Sequence, residues 1–243
     1  MTGPDPELLA GPETGPGNPA LGPIRRATAE AVGTGLLVLA VIGSGIAAER
    51  LSPTDAGIQL LENSFATAGA LAALILVFGT VSGAHFNPVV TLTDRLFGTI
   101  SSRDAALYVG AQIFGGCTGA ILANLTFELP AIDPATKVRA SAGLWIAEII
   151  ATAGLLLVIH GCVRSGRRDA VPLAVAAWIA GAYWFAASTS FANPAVTIAR
   201  TLSDSFAGIA PSSAPMFIVM QVIGAGVGVI LIRSFFPAPE EAP

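Results

Sequence analysis

Long apolar runs occupy about residues 27–47, 64–82, 105–127, 141–161, 170–188 and 214–236, separated by short polar segments. Each holds roughly the twenty residues that a helix needs to cross a hydrocarbon layer of about 30 Å. Two stretches break this rhythm. The second run is followed by Gly83-Ala84-His85-Phe86-Asn87-Pro88-Val89-Val90-Thr91, and the fifth by Thr189-Ser190-Phe191-Ala192-Asn193-Pro194-Ala195-Val196-Thr197. Asn satisfies free backbone N–H groups at a helix start, and Pro suits the first helical position, where its missing N–H is no loss. Each Asn-Pro therefore begins a helix. Helix-compatible residues continue only to Arg95 and Arg200, a rise of roughly 12 Å that cannot cross the layer. The pattern predicts an all-α membrane protein with six transmembrane helices and two re-entrant half-helices. Its order is span, span, half-helix, span, repeated. Three spans per unit invert the second unit relative to the first.

The two units, about 25–127 and 140–236, share more than the boxes. Glu30 with Thr34 in the first span is matched by Glu148 with Thr152 in the fourth, and Gln112, Gly115 and Gly119 in the third by Gln221, Gly224 and Gly228 in the sixth. Paired boxes of this kind, His85-Phe86-Asn87-Pro88 and Asn193-Pro194-Ala195, resemble those of the aquaporin and glycerol-facilitator channels, the major intrinsic proteins. The likeness extends over roughly residues 25–236. It implies an inverted repeat in which the half-helices meet amino end to amino end at mid-membrane. Asn87 and Asn193 would then offer amide donors to a passing solute. The positive ends of two helix dipoles would disfavour cations. The non-helical runs Gly83, Ala84, His85, Phe86 and Thr189, Phe191, Ala192 would line the pore with carbonyls, tolerable at that depth only beside a wet cavity. Glu30 and Glu148 are read as supports for these loops. The resemblance also implies a homotetramer with one pore per subunit; Gly115, Gly116 and Gly119 suit close helix packing without deciding the stoichiometry.

The selectivity filter departs from the family pattern. Counting back from the boxes without gaps puts the ring at Thr67, Gly181, Ser190 and Val196, where Val196 replaces the usual Arg after Asn-Pro-Ala. All four are small, and none is aromatic or charged. That is a wide, partly apolar opening, with a guanidinium missing. Arg200, one helical turn beyond Val196, is a candidate for a positive outer mouth or for an anchor paired with Asp204. Thr197 stands where glycerol facilitators carry an Asp. Such rings resemble those of bacterial channels associated with arsenic resistance. The likeness implies passage of neutral solutes: water, urea, glycerol-like polyols and metalloid hydroxides such as As(OH)3, Sb(OH)3 or methylated arsenicals.

Composition narrows the alternatives. The chain is 53 % hydrophobic and only 12 % charged, outside the range of ordinary soluble domains. The net charge of −4 lies in loops, and nothing suggests nucleic-acid binding. Arg25, Arg26, Arg95, Arg103, Arg164, Arg167, Arg168 and Arg233 fall on one side, against Arg50, Lys137, Arg139 and Arg200 on the other. The excess predicts both termini on the cytoplasmic side, and the resemblance implies a bacterial inner membrane. Residues 1–24 read as a disordered Pro/Gly-rich tail and 237–243 as a short C-terminal tail. Cys117 and Cys162 have no disulfide or metal spacing, and two histidines, His85 near the pore and His160 near the interface, make no metal site. No cofactor is expected. A hydrolase built on Ser82 or Ser190 with His85 lacks a nucleophile elbow and an orienting acid. A proton-coupled carrier relaying through Glu30 and Glu148 is the rival transport reading, although neither acid has a Lys or Arg partner in a neighbouring span.

Overall fold

The computed structural model describes residues 17–18 and 20–236. Most of the expected N-terminal tail and all of the C-terminal one lie outside the described residues. Eight α-helices follow one another among those described: α1 (Pro23–Leu51), α2 (Ala56–Ser82), α3 (Pro88–Leu96), α4 (Ser102–Thr126), α5 (Ala142–Arg164), α6 (Val171–Phe185), α7 (Pro194–Ala199) and α8 (Ala214–Phe235). Several outrun their apolar cores. Pro23 opens α1, four residues before the apolar run. Asp55 caps α2 by accepting from the N–H groups of Gly57 and Ile58, so polar Gln59, Glu62 and Asn63 join the helix.

α1, α2, α4, α5 and α8 are long and apolar enough to cross a membrane. α6 is shorter, at 15 residues. A 3₁₀ turn at Arg168–Ala170 precedes it, and Ala186 leaves the helix with extended dihedrals. The last residues of the fifth apolar run thus belong to the segment entering the second box. The half-helices are α3 and α7, and a 3₁₀ turn at Arg200–Leu202 extends α7.

Glycines decide how the spans pack. A Cβ on Gly115 would fall 2.0 Å from the Ala31 carbonyl oxygen, and one on Gly119 2.1 Å from that of Gly35. α1 and α4 therefore touch backbone to backbone, the close approach that small residues permit in membranes. The second unit repeats this where Gly224 of α8 meets Ile149 of α5, with a notional Cβ 2.7 Å from the Ile149 oxygen. α2 packs on α6 across the two units, and each half-helix reaches the other unit, α3 touching α8 and α7 touching α4. Large apolar side chains such as Phe65, Leu76, Phe114, Ile146, Leu173 and Ile230 point outward and are exposed. Acyl chains are the natural solvent for such a surface.

Candidate functional site: a pore between two re-entrant segments

Gly83 ends α2 in the left-handed region at φ 89°, a conformation that glycine adopts freely. The chain then descends through residues that adopt this region less readily: Ala84 and Phe86 before the first box, Thr189, Ser190 and Ala192 before the second, all at positive φ. Such backbone persists only where its surroundings hold it. Two buried carboxylates do so. Glu30 accepts from Ser82 Oγ (2.6 Å), from the N–H groups of His85 (3.0 Å) and Phe86 (2.7 Å), and from Gln112 Nε2 (2.7 Å). Glu148 accepts from the N–H groups of Phe191 and Ala192, each at 2.9 Å, and from Gln221 Nε2 (2.6 Å). Both glutamates are fully buried. The glutamines also reach the half-helices, Gln112 donating to Thr91 Oγ1 and Gln221 to Thr197 Oγ1.

The boxes meet. Asn87 Nδ2 donates to the Ala192 carbonyl and Asn193 Nδ2 to the Phe86 carbonyl, both at 2.8 Å. Each Asn also caps its own helix, Asn87 Oδ1 accepting from Val89 N–H, and Asn193 Oδ1 from Ala195 and Val196 N–H. Pro88 and Pro194 occupy the first helical turns. One hydrogen on each amide nitrogen is thus used across the boxes.

A cavity of about 610 Å³ runs past this junction, from Arg164, Arg168 and Thr99 at one end to Thr67, Tyr183 and Arg200 at the other. Gly83, Ala84, His85, Phe86, Asn87, Ser190, Phe191, Asn193 and Val196 line it; Thr189 and Ala192 do not. Between its polar ends the wall is apolar, with Leu71, Ile75, Val90, Leu155, Val175 and Ile179.

The expected ring is only partly assembled. Thr67, Ser190 and Val196 face the cavity, but Gly181 lies exposed on the outer side of α6. Tyr183 takes its place, its hydroxyl 3.1 Å from Thr67 Oγ1. Residues two apart on a helix point about 200° from each other, so a gapless count that is off by two selects the opposite face. The ring is therefore not free of aromatic groups.

It is not free of charge either. Arg200 is 2 % exposed and lines the cavity. Its Nε donates to the Ala207 carbonyl and its guanidinium lies 3.4 Å over the Phe191 ring. The alternative role as an ion pair with Asp204 fails, because the Asp204 carboxylate accepts instead from Thr136 N–H and Oγ1. Arg139, in the loop before α5, approaches Phe191 at 5.1 Å and donates to the Gly208 carbonyl. Burial pulls its guanidinium down to about 10. Burial, then Arg139 and Arg200, likewise hold Lys137 below the ordinary lysine range.

At the other end the structure adds a group that the sequence did not single out. Asp94 Oδ2 lies 2.8 Å from His85 Nε2, and Asp94 Oδ1 lies 3.9 Å from His160 Nε2. His160 is buried and lines the cavity. Asp94 escaped notice because one acid near the end of a short helix has no periodic signature. The apposition of α5 to α3 creates the cluster.

The family model for the major intrinsic proteins matches residues 20–186 and again 164–242. The chain belongs to the major intrinsic protein family. It is 46 % identical over 209 residues to an aquaglyceroporin, AqpS, of Rhizobium meliloti (strain 1021), covering 86 % of this chain and 89 % of that one. It is 33 % identical over 181 residues to aquaporin-1 of Pongo abelii, covering 71 % and 66 % respectively. Its fold matches the X-ray structure of the aquaglyceroporin from Plasmodium falciparum with a TM-score of 0.72 at 20 % identity, over 89 % of this chain and 98 % of that one. This major intrinsic protein is an integral membrane channel that passes small solutes passively, and it is not an enzyme.

Proposed function

We propose that this channel conducts small uncharged hydroxylated solutes: glycerol-like polyols, urea and water, together with metalloid hydroxides such as arsenite, antimonite or methylated arsenicals. The observation that carries this reading is the outer end of the cavity. There Val196 lines the wall directly after the second box, and the cation stands one turn further on, at Arg200. A valine leaves more width than an arginine, and the Thr67–Tyr183 pair with Ser190 supplies hydroxyls to replace those of water. Arsenite near neutral pH is an uncharged trihydroxide with a surface like that of a polyol. The 46 % identity to a protein named an aquaglyceroporin supports the same solute class.

Cation exclusion is assigned to the paired half-helix amino ends and to Arg200 above them. The proton-coupled alternative finds no support in the two membrane acids, whose oxygens are all engaged in holding the loops. We further propose a homotetramer in a bacterial inner membrane with both termini cytoplasmic. Stopped-flow swelling of proteoliposomes in water, glycerol and urea gradients, with arsenite uptake alongside, tests the solute class. Linear, ion-independent flux of glycerol and arsenite is expected. Water flux without either solute, or saturating flux that needs a proton gradient, overturns the reading.

A further inference from the structure

The cluster at the Arg164 end of the pore joins Thr91, His85, Asp94 and His160. Thr91 Oγ1 gives its one hydrogen to the Asn87 carbonyl (3.2 Å) and accepts from Gln112 Nε2 (2.9 Å). It also lies 3.0 Å from His85 Nδ1, which ties the imidazole to the half-helix. His85 Nε2 still lies 2.8 Å from Asp94 Oδ2 in a bent contact, too close for two lone pairs. The imidazole therefore turns an N–H edge toward the carboxylate.

Asp94 Oδ1 is left facing the cavity. Opposite it, 3.9 Å away, stands His160 Nε2, buried and without a partner. The gap is too long for a direct hydrogen bond, and because less than 1 Å² of Nε2 is open to solvent, one oxygen atom set at about 2.8 Å from each closes it only as the His160 ring turns toward the cavity.

We propose that Asp94 and His160 form an inner docking station for a hydroxyl group of a permeating neutral polyol or element hydroxide. The hydroxyl donates to Asp94 Oδ1 and accepts from His160 Nε2–H. A cation is a poor occupant, since His85 already sits against the carboxylate and Arg164 and Arg168 line the same end. An anion is a poor one too, facing carboxylate lone pairs. A neutral group that both donates and accepts fits. The station matters most for solutes that fill the pore: a water brings neighbouring waters as partners, whereas a polyol must find them on the wall.

This inference rests on the solute class proposed above, and its test separates the two. Proteoliposomes of wild type, His160→Leu, His160→Gln and Asp94→Val are compared for glycerol and water permeability per folded channel. His160→Leu and Asp94→Val are expected to lower the glycerol-to-water ratio by about three- to tenfold, the range for one lost hydrogen bond. His160→Gln, which retains a donor near the same place, is expected to hold the ratio within about twofold of wild type. His160→Leu alone decides the matter if Asp94→Val fails to fold. Wild-type channels that pass water but exclude glycerol overturn the solute reading, and the station with it. Wild-type glycerol flux with an unchanged ratio in His160→Leu overturns the station alone. So does a fall shared equally by water and glycerol, or one that His160→Gln shows as fully as His160→Leu.

Discussion

Replacing Glu148 by Gln exchanges a carboxylate for a group with one acceptor oxygen. In the native channel Oε1 accepts from Phe191 N–H, while Oε2 accepts from Ala192 N–H and Gln221 Nε2. The amide oxygen keeps the two bonds at the Oε2 position and turns its NH2 toward Phe191 N–H, donor against donor. One buried N–H loses its partner, at about 1–3 kcal/mol, and two charge-assisted bonds become neutral ones at about 1 kcal/mol each. Relief of the buried charge offsets part of this, so a net loss of about 2–4 kcal/mol follows. The loop has little reserve to absorb it. Thr189, Ser190 and Ala192 all sit at positive φ, at about 1–3 kcal/mol each. At roughly 2–4 °C per kcal/mol for a chain of this size, the apparent melting temperature should fall by about 10 °C. Size-exclusion chromatography of detergent-solubilised protein after a temperature series reads this directly. Water permeability per surviving folded channel should stay within about twofold of wild type at low temperature, as expected of a scaffold. A channel of native thermal stability whose flux has collapsed would refute the scaffold argument and favour the carrier.

Other substitutions probe separate links. Val196→Arg should narrow the outer ring and reduce glycerol and arsenite flux at least tenfold more than water flux; equal losses for all solutes would place the constriction elsewhere. Asn193→Asp sets a carboxylate where the half-helices meet and removes the donor to the Phe86 carbonyl, so planar-bilayer recordings should show a raised cation leak. Arg200→Gln removes the charge stacked on Phe191, and the same recordings should show a smaller rise with neutral-solute flux retained. Gly119→Ala drives a methyl group against the Gly35 carbonyl; overpacking of about 1–3 kcal/mol should lower folded yield without altering solute preference in the surviving channels.

How the chain divides into spans and half-helices was legible from residue order alone. Apolar runs of membrane length, Asn-Pro starts and the matched Glu, Gln and Gly positions are local features. In a bilayer every backbone group must be satisfied within its own segment, which keeps that local code reliable. The cavity wall was harder to read. Which face of α6 turns inward depends on its packing against α2, and this placed Tyr183 rather than Gly181 in the pore. Arg200 reaches the cavity because Phe191 and the Ala207 carbonyl hold it there, contacts between segments that no spacing rule links. The pairing of Asp94 with His160, 66 residues apart in sequence, likewise exists only because α3 and α5 bring these side chains together. Local pattern determined what each segment is. Tertiary packing decided which side chains meet the solute, because the direction a helix faces is set by its neighbours.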